Sequence, residues 1–195
     1  MYMRSLYFKC LKVKYELMFP KEEDSVLKAM KEQLKTLAET DKENFHIQLR
    51  ARVGKKATGA LEEKLKEIII LMPDLVSRVY LYWNRSDHKS KAKNIGGYLL
   101  TYLYTPEDLL STKEWGLFGY LDDAYFVARV YTQVIDEINE AKGKVAGIDF
   151  MYYDKAKYLK KYVRGVIPKE VKKIDEMILQ LSEGNQKIYS EIFKK

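Results

Sequence analysis

Apolar residues recur at helical spacing along most of this chain. Val26, Leu27, Met30, Leu34 and Leu37 share one face of an amphipathic helix that Pro20 opens. From Ala60 onward, Leu61, Leu65, Ile68, Ile69 and Met72 form a second stripe. Pro73 is expected to interrupt it and to start a new helix that buries Leu75, Val76, Val79 and Tyr80. The next helix, over about residues 91–104, is nearly all apolar in its second half, which predicts a central place in the core. Another, from about Asp122 to Ala141, carries Phe126, Val127, Val130, Val134 and Ile138, and Gly143 and Gly147 bracket the loop after it.

The N-terminal third is less decided. Val13 to Phe19 alternates apolar and charged residues, the mark of a half-buried strand, and Phe45 to Val53 alternates too, so the two segments are candidates for a small sheet. Phe45, Leu49 and Val53 also recur every fourth residue, which favours a helix for the second segment although Gly54 and Gly59 weaken it. At the other end, Gly165 is expected to end a helix over Tyr152 to Arg164, and Pro168 to open the last one. Val171, Ile174, Ile178, Leu181, Asn185, Ile188 and Ile192 then fall three and four apart, a heptad seam. Asn185 at an a position suits a homodimer through this helix, and packing onto the chain's own core is the other use of the same stripe.

Composition agrees with helices: 195 residues contain only 4 Pro and 10 Gly. Cys10 is the only cysteine, so an internal disulfide or a thiolate zinc site is excluded and a reducing compartment is expected. The first residues lack a secretory pattern, and the apolar run Tyr98 to Tyr104 is far short of the ~20 residues a spanning helix needs. A cytoplasmic protein without a transmembrane segment, at most peripheral to a membrane, is the expectation. The net charge of +7 is uneven: residues 1–60 carry +5, residues 61–148 carry −2 and residues 149–195 carry +4.

The most informative segment couples two turns. Thr105-Pro106-Glu107-Asp108-Leu109-Leu110 follows one apolar helix, and Gly119-Tyr120-Leu121-Asp122-Asp123 opens the next. Thr105 suits an N-cap, Pro106 the first helical position, and Asp108 the capping-box position. Asp122 and Asp123 meet the positive end of a helix dipole, worth about 0.3–1 kcal/mol each. Residues 73–135 resemble the YkvA-like family of small bacterial helical proteins of unknown function. Pro106, Asp108, Leu109, Gly119, Leu121, Asp122 and Asp123 carry the likeness, while Ser111-Thr112 departs from it, because the family has Pro-Asp there. The resemblance implies a helical hairpin and leaves the activity open.

Two readings of the acidic residues follow. They are helix-start chemistry, or Asp108, Asp122 and Asp123 converge to hold a divalent cation such as magnesium or calcium, with Arg85 or Arg129 as the alternative counter-charge. His46 and His88 are solitary and read as surface or satisfied residues. No phosphate loop, nucleophile elbow or zinc-protease signature is present. Tyr80, Tyr98, Tyr102, Tyr125 and Tyr131 fall beside aliphatics and read as core.

The expected fold is therefore an all-α bundle of about six or seven helices, with a small N-terminal strand pair left open. It forms a single helical domain over 1–195: a 1–60 extension, a 61–148 YkvA-like core and basic 149–195 helices. The leading function is a non-enzymatic interaction or regulatory protein with no cofactor. Its hairpin is a scaffold, and Lys157, Lys160, Lys161 and Arg164 meet a protein partner or an anionic surface. A cation-dependent enzyme at the carboxylates and a weak nucleic-acid binder, through these cations with Lys169, Lys172 and Lys173, are the alternatives.

Overall fold

The deepest apolar stripe belongs to the segment after Asp122, and the molecule is arranged around it. The computed structural model describes residues 23–85, 91–103, 105, 109–142, 148–185 and 187–188. Among them lie seven main helices: α1 Glu23–Thr40, α2 Lys42–Val53, α3 Gly59–Arg85, α4 Lys91–Leu103, α5 Leu121–Lys142, α6 Ile148–Val166 and α7 Pro168–Ser182. A helical turn, Thr112–Trp115, and 3-10 segments at Gly54–Lys56 and Gly116–Tyr120 connect them, and no strand occurs among the described residues. The all-α bundle is as expected.

Ala124 to Ala128 of α5 are all fully buried, because α3, α4, α6 and α7 pack around this helix from different sides. Each large apolar side chain taken out of water there contributes roughly 1.5–3 kcal/mol. α1 covers α3 with Leu34 and Ala38 buried, although Val26, expected on the same face, is 43% exposed. Tyr80, Tyr102, Tyr125 and Tyr131 are buried, as their spacing predicts, and no helix among the described residues is long and apolar enough to cross a membrane.

One expectation about helix boundaries is corrected. Pro73 does not end a helix: α3 runs through it for 27 residues. Losing one backbone hydrogen bond costs about 3 kcal/mol. Ile68, Ile69 and Met72 before the proline and Leu75, Val76 and Val79 after it are buried on one continuous face, and that gain exceeds the cost. Residues 45–53 form the favoured helix and not the rival strand: Phe45 and Leu49 are fully buried one helical turn apart in α2, and Gly54 closes it at φ +58°. The proposed strand 13–19, like Cys10 and Pro20, lies outside the described residues.

The heptad seam is also interrupted. α7 stops at Ser182, Gly184 takes φ +88°, and the Asn185 amide donates back to the Gln180 carbonyl at 2.9 Å, a left-handed helix stop. Asn185 therefore sits beyond the helix rather than at an a position within it. Val171, Ile174, Ile178 and Leu181 are buried in the chain's own core, so that stripe is spent within the molecule.

The second and last of these helices are tied together. Arg52 of α2 donates to Glu170 of α7 at 3.1 Å, and its guanidinium lies 5.1 Å from the centre of the Trp115 ring. Cation, carboxylate and aromatic face come from three separate parts of the chain.

Candidate functional site

The first polar constellation is the bend between α4 and α5. Asp122 is fully buried, and its Oδ2 accepts from the Tyr102 hydroxyl at 3.0 Å and from the Leu110 amide at 3.2 Å. One carboxylate thus fastens the end of α4 and the turn at 109–111 to the start of α5. Tyr102 is held in turn by the Phe126 ring, centre to centre 4.6 Å. Thr105 closes α4 by donating its hydroxyl to the Thr101 carbonyl at 2.6 Å. Asp123 is also buried, and Asp108 lies outside the described residues. Among the described residues no three His, Cys, Asp or Glu side chains are grouped to hold a metal ion.

A second carboxylate works in the same way. Asp41, just before α2, accepts from the Leu117 amide at 2.7 Å and from the Asn44 side chain at 3.1 Å. Gly116, at φ +57°, leaves room for it: a Cβ there would collide with the Asp41 carboxylate. A Cβ on Gly119 would lie 2.7 Å from the Thr112 Cα. The two glycines of this segment are thus explained by close approach of the backbone.

The second constellation is the junction of α5, α6 and α7. On α5, Tyr125, Arg129, Thr132 and Asp136 recur four, three and four apart, a polar stripe on an otherwise apolar helix. The Tyr125 hydroxyl donates to Asp175 of α7 at 3.0 Å and accepts from Arg164 of α6 at 2.6 Å, and Arg164 also donates to Asp175 at 2.7 Å. Arg129 approaches the same carboxylate at 3.5 Å rather than neutralising Asp122 and Asp123. The side chain of Arg85 is outside the described set. Lys160 donates to the Thr132 hydroxyl at 2.9 Å; Tyr153 donates to Asp136 at 2.6 Å and accepts from Lys157 at 3.3 Å.

Protonation follows from this crowding. Burial, then the negative Asp175, pushes the Tyr125 phenol up to about 12. Burial, then the positive Arg129, pulls the Lys160 ammonium down to about 8. The hydrogen bond to Asp136 raises the Tyr153 phenol, and the bond to Tyr153 raises Lys157.

The outer face of α6 continues the junction. At 100° per residue, Phe150, Asp154, Lys157, Lys161 and Arg164 point within about a quarter turn of one another, with Met151 and Tyr158 alongside. All seven are exposed; Met151 is 69% and Phe150 54% accessible. The opposite face of α6, Ala156, Leu159 and Val163, is buried.

An open groove of about 380 Å³ lies between α1, α3 and α6, and its cations are matched by acids: Lys31 with Asp74 at 2.6 Å, and Lys155 with Glu67 at 2.8 Å. Lys66, also in its wall, bonds Glu62 at 2.7 Å, and His46 meets the same carboxylate at 3.0 Å. Burial works against ionisation of Glu62, but the hydrogen bonds from Lys66 and His46 outweigh it and hold its pKa below the ordinary value. His46 is thus a satisfied half-exposed side chain, and His88 lies outside the described residues.

Of the basic residues singled out in the sequence, Lys157, Lys160 and Arg164 line the junction, and Lys161 faces outward. Tyr125 read only as core and Arg129 only as a counter-charge for the bend, and Thr132 and Asp175 were missed, although the polar stripe on α5 marks the first three of these. No family model, curated protein or solved structure matches the chain.

Proposed function

We propose that the chain is a non-enzymatic interaction protein that offers the outer face of α6 to an anionic partner, with the clasped α4–α5 bend as its rigid scaffold. The observation that carries this reading is the exposed stripe of Lys157, Lys161 and Arg164. On α6 itself only Asp154 opposes it in charge, Arg164 being also paired with Asp175 of α7, and Phe150, Met151 and Tyr158 flank it. Exposed cations interleaved with apolar and aromatic side chains suit a surface that is negatively charged and only partly wet. A YkvA-like origin for 73–135, a cytoplasmic setting and peripheral attachment to an anionic membrane belong to the same proposal.

The bend is read as scaffold because the Asp122 carboxylate is engaged by a backbone amide and a buried phenol. The test is binding to a single-stranded oligonucleotide and to anionic vesicles at low salt. Charge reversal at Lys157 and Lys161 should abolish binding, while the same reversal at the exposed Lys55 and Lys56 changes net charge equally and should leave most of it. Equal losses in the two variants would reduce the effect to overall charge and overturn the reading.

A further inference from the structure

Lys157, Lys160, Arg129 and Arg164 gather around the carboxylates Asp136, Asp154 and Asp175, so the α5–α6–α7 junction holds one cation in excess. The groove between α1, α3 and α6 shows the opposite arrangement, each cation closed on an acid.

The donors of the junction are also incompletely used. Arg129 makes no side-chain hydrogen bond among the described residues; its only carboxylate contact, Asp175 at 3.5 Å, lies at the limit for an ion pair. Arg164 makes both of its bonds through Nη2, which leaves Nη1 and Nε, and its side chain is 59% exposed. Lys160 commits one of its three protons to Thr132.

We propose that Arg129, Lys160 and Arg164 form a binding site for a phosphoryl group, which joins Asp175 as a second counter-ion at the junction of α5, α6 and α7. The proposal rests on the anionic-partner reading of α6 and narrows it to one chemistry. Arg129 of α5 and Lys160 and Arg164 of α6 supply two guanidiniums and an ammonium with uncommitted donors, more than a planar carboxylate can accept, which suits a tetrahedral oxyanion with several acceptor oxygens. The depressed Lys160 agrees, because a nearby anion would restore its charged form.

The experiment adds inorganic phosphate to the full chain and follows the Lys160 side chain by NMR, against chloride and acetate at equal ionic strength. The groups around Lys160 are Arg129, Thr132 and Asp136 on α5, Lys157 and Arg164 on α6, and Asp175 on α7. A saturable shift in the millimolar range, with the Lys160 titration moving upward from about 8, is the expected result. No shift, or the same shift with chloride or acetate, overturns the site.

Arg164→Gln, followed at the same Lys160 signal, should abolish the response. Arg129→Lys, which keeps the charge and removes the fork, should weaken it several-fold, and an unchanged affinity in that variant also overturns the proposal. Phosphatidic acid vesicles that compete with phosphate identify a lipid headgroup as the source; a soluble phosphate ester competing in their place identifies a free one. Competition by neither overturns the site. A phosphate response that survives charge reversal at Lys157 and Lys161, while oligonucleotide and vesicle binding do not depend on those lysines, sinks the α6 reading and not this site.

Discussion

The bend at α4–α5 and the junction at α5–α6–α7 both draw charged side chains from α5, and they treat charge in opposite ways. At the bend, the buried Asp122 and the partly buried Asp41 each take a backbone amide, so their charge holds the chain in place. At the junction, cations outnumber carboxylates and Lys160 loses its proton more readily than an ordinary lysine. A charge spent on a backbone amide is structural, whereas a charge without an equal opposite is available to a partner.

The strongest test of this contrast is Asp122→Ala. It leaves the Tyr102 hydroxyl and the Leu110 amide buried without their acceptor, and should cost about 3 kcal/mol in denaturant unfolding. A loss under about 1 kcal/mol would show that the bend does not depend on the clasp. Gly119→Ala comes next, at about 2 kcal/mol, because the new methyl meets the backbone of Thr112 and not a side chain that can turn aside. Asp175→Asn should cost about 1–2 kcal/mol, discounted for its partial exposure, and should lower the Lys160 titration further by removing a carboxylate that supports its charge.

The smallest effect has the opposite sign. The folded chain holds the Lys160 proton less tightly than the unfolded chain, whose lysine keeps the ordinary 10.5, so the penalty is fully present below about pH 8 and is relieved as pH rises toward 10.5. Lys160→Met should therefore stabilise the protein by about 1 kcal/mol at pH 7, after discounting for solvent, and progressively less above pH 8. A destabilising result, measured by thermal unfolding at both pH values, would show that Lys160 serves the fold.

Helices were legible where one face alone decides them. Leu65, Ile68 and Met72 of α3, or Val171, Ile174 and Ile178 of α7, repeat with the helical period and are buried as that period requires. Pro73 and Asn185 were misread because local rules see one residue at a time: burial on both sides of Pro73 outweighs a missing hydrogen bond, and Gly184 ends α7 before Asn185 can enter the seam. At the bend the sequence marked Asp122 and Asp123 as helix-start residues but could not show that Tyr102, twenty positions earlier, reaches one of them. At the junction Lys160 and Arg164 were visible as a basic run, and Asp175 was not, because its partner Tyr125 is fifty residues away.

The contact between Arg52 and Glu170 joins positions 118 residues apart. On the ribosome the arginine emerges long before the carboxylate that completes its surroundings, so α2 can settle against Trp115 and Phe118 but lacks its counter-ion until α7 has been made. The loop between early and late helices thus closes only once α7 has been made, and a nascent chain halted before residue 170 would remain open to proteolysis at α2.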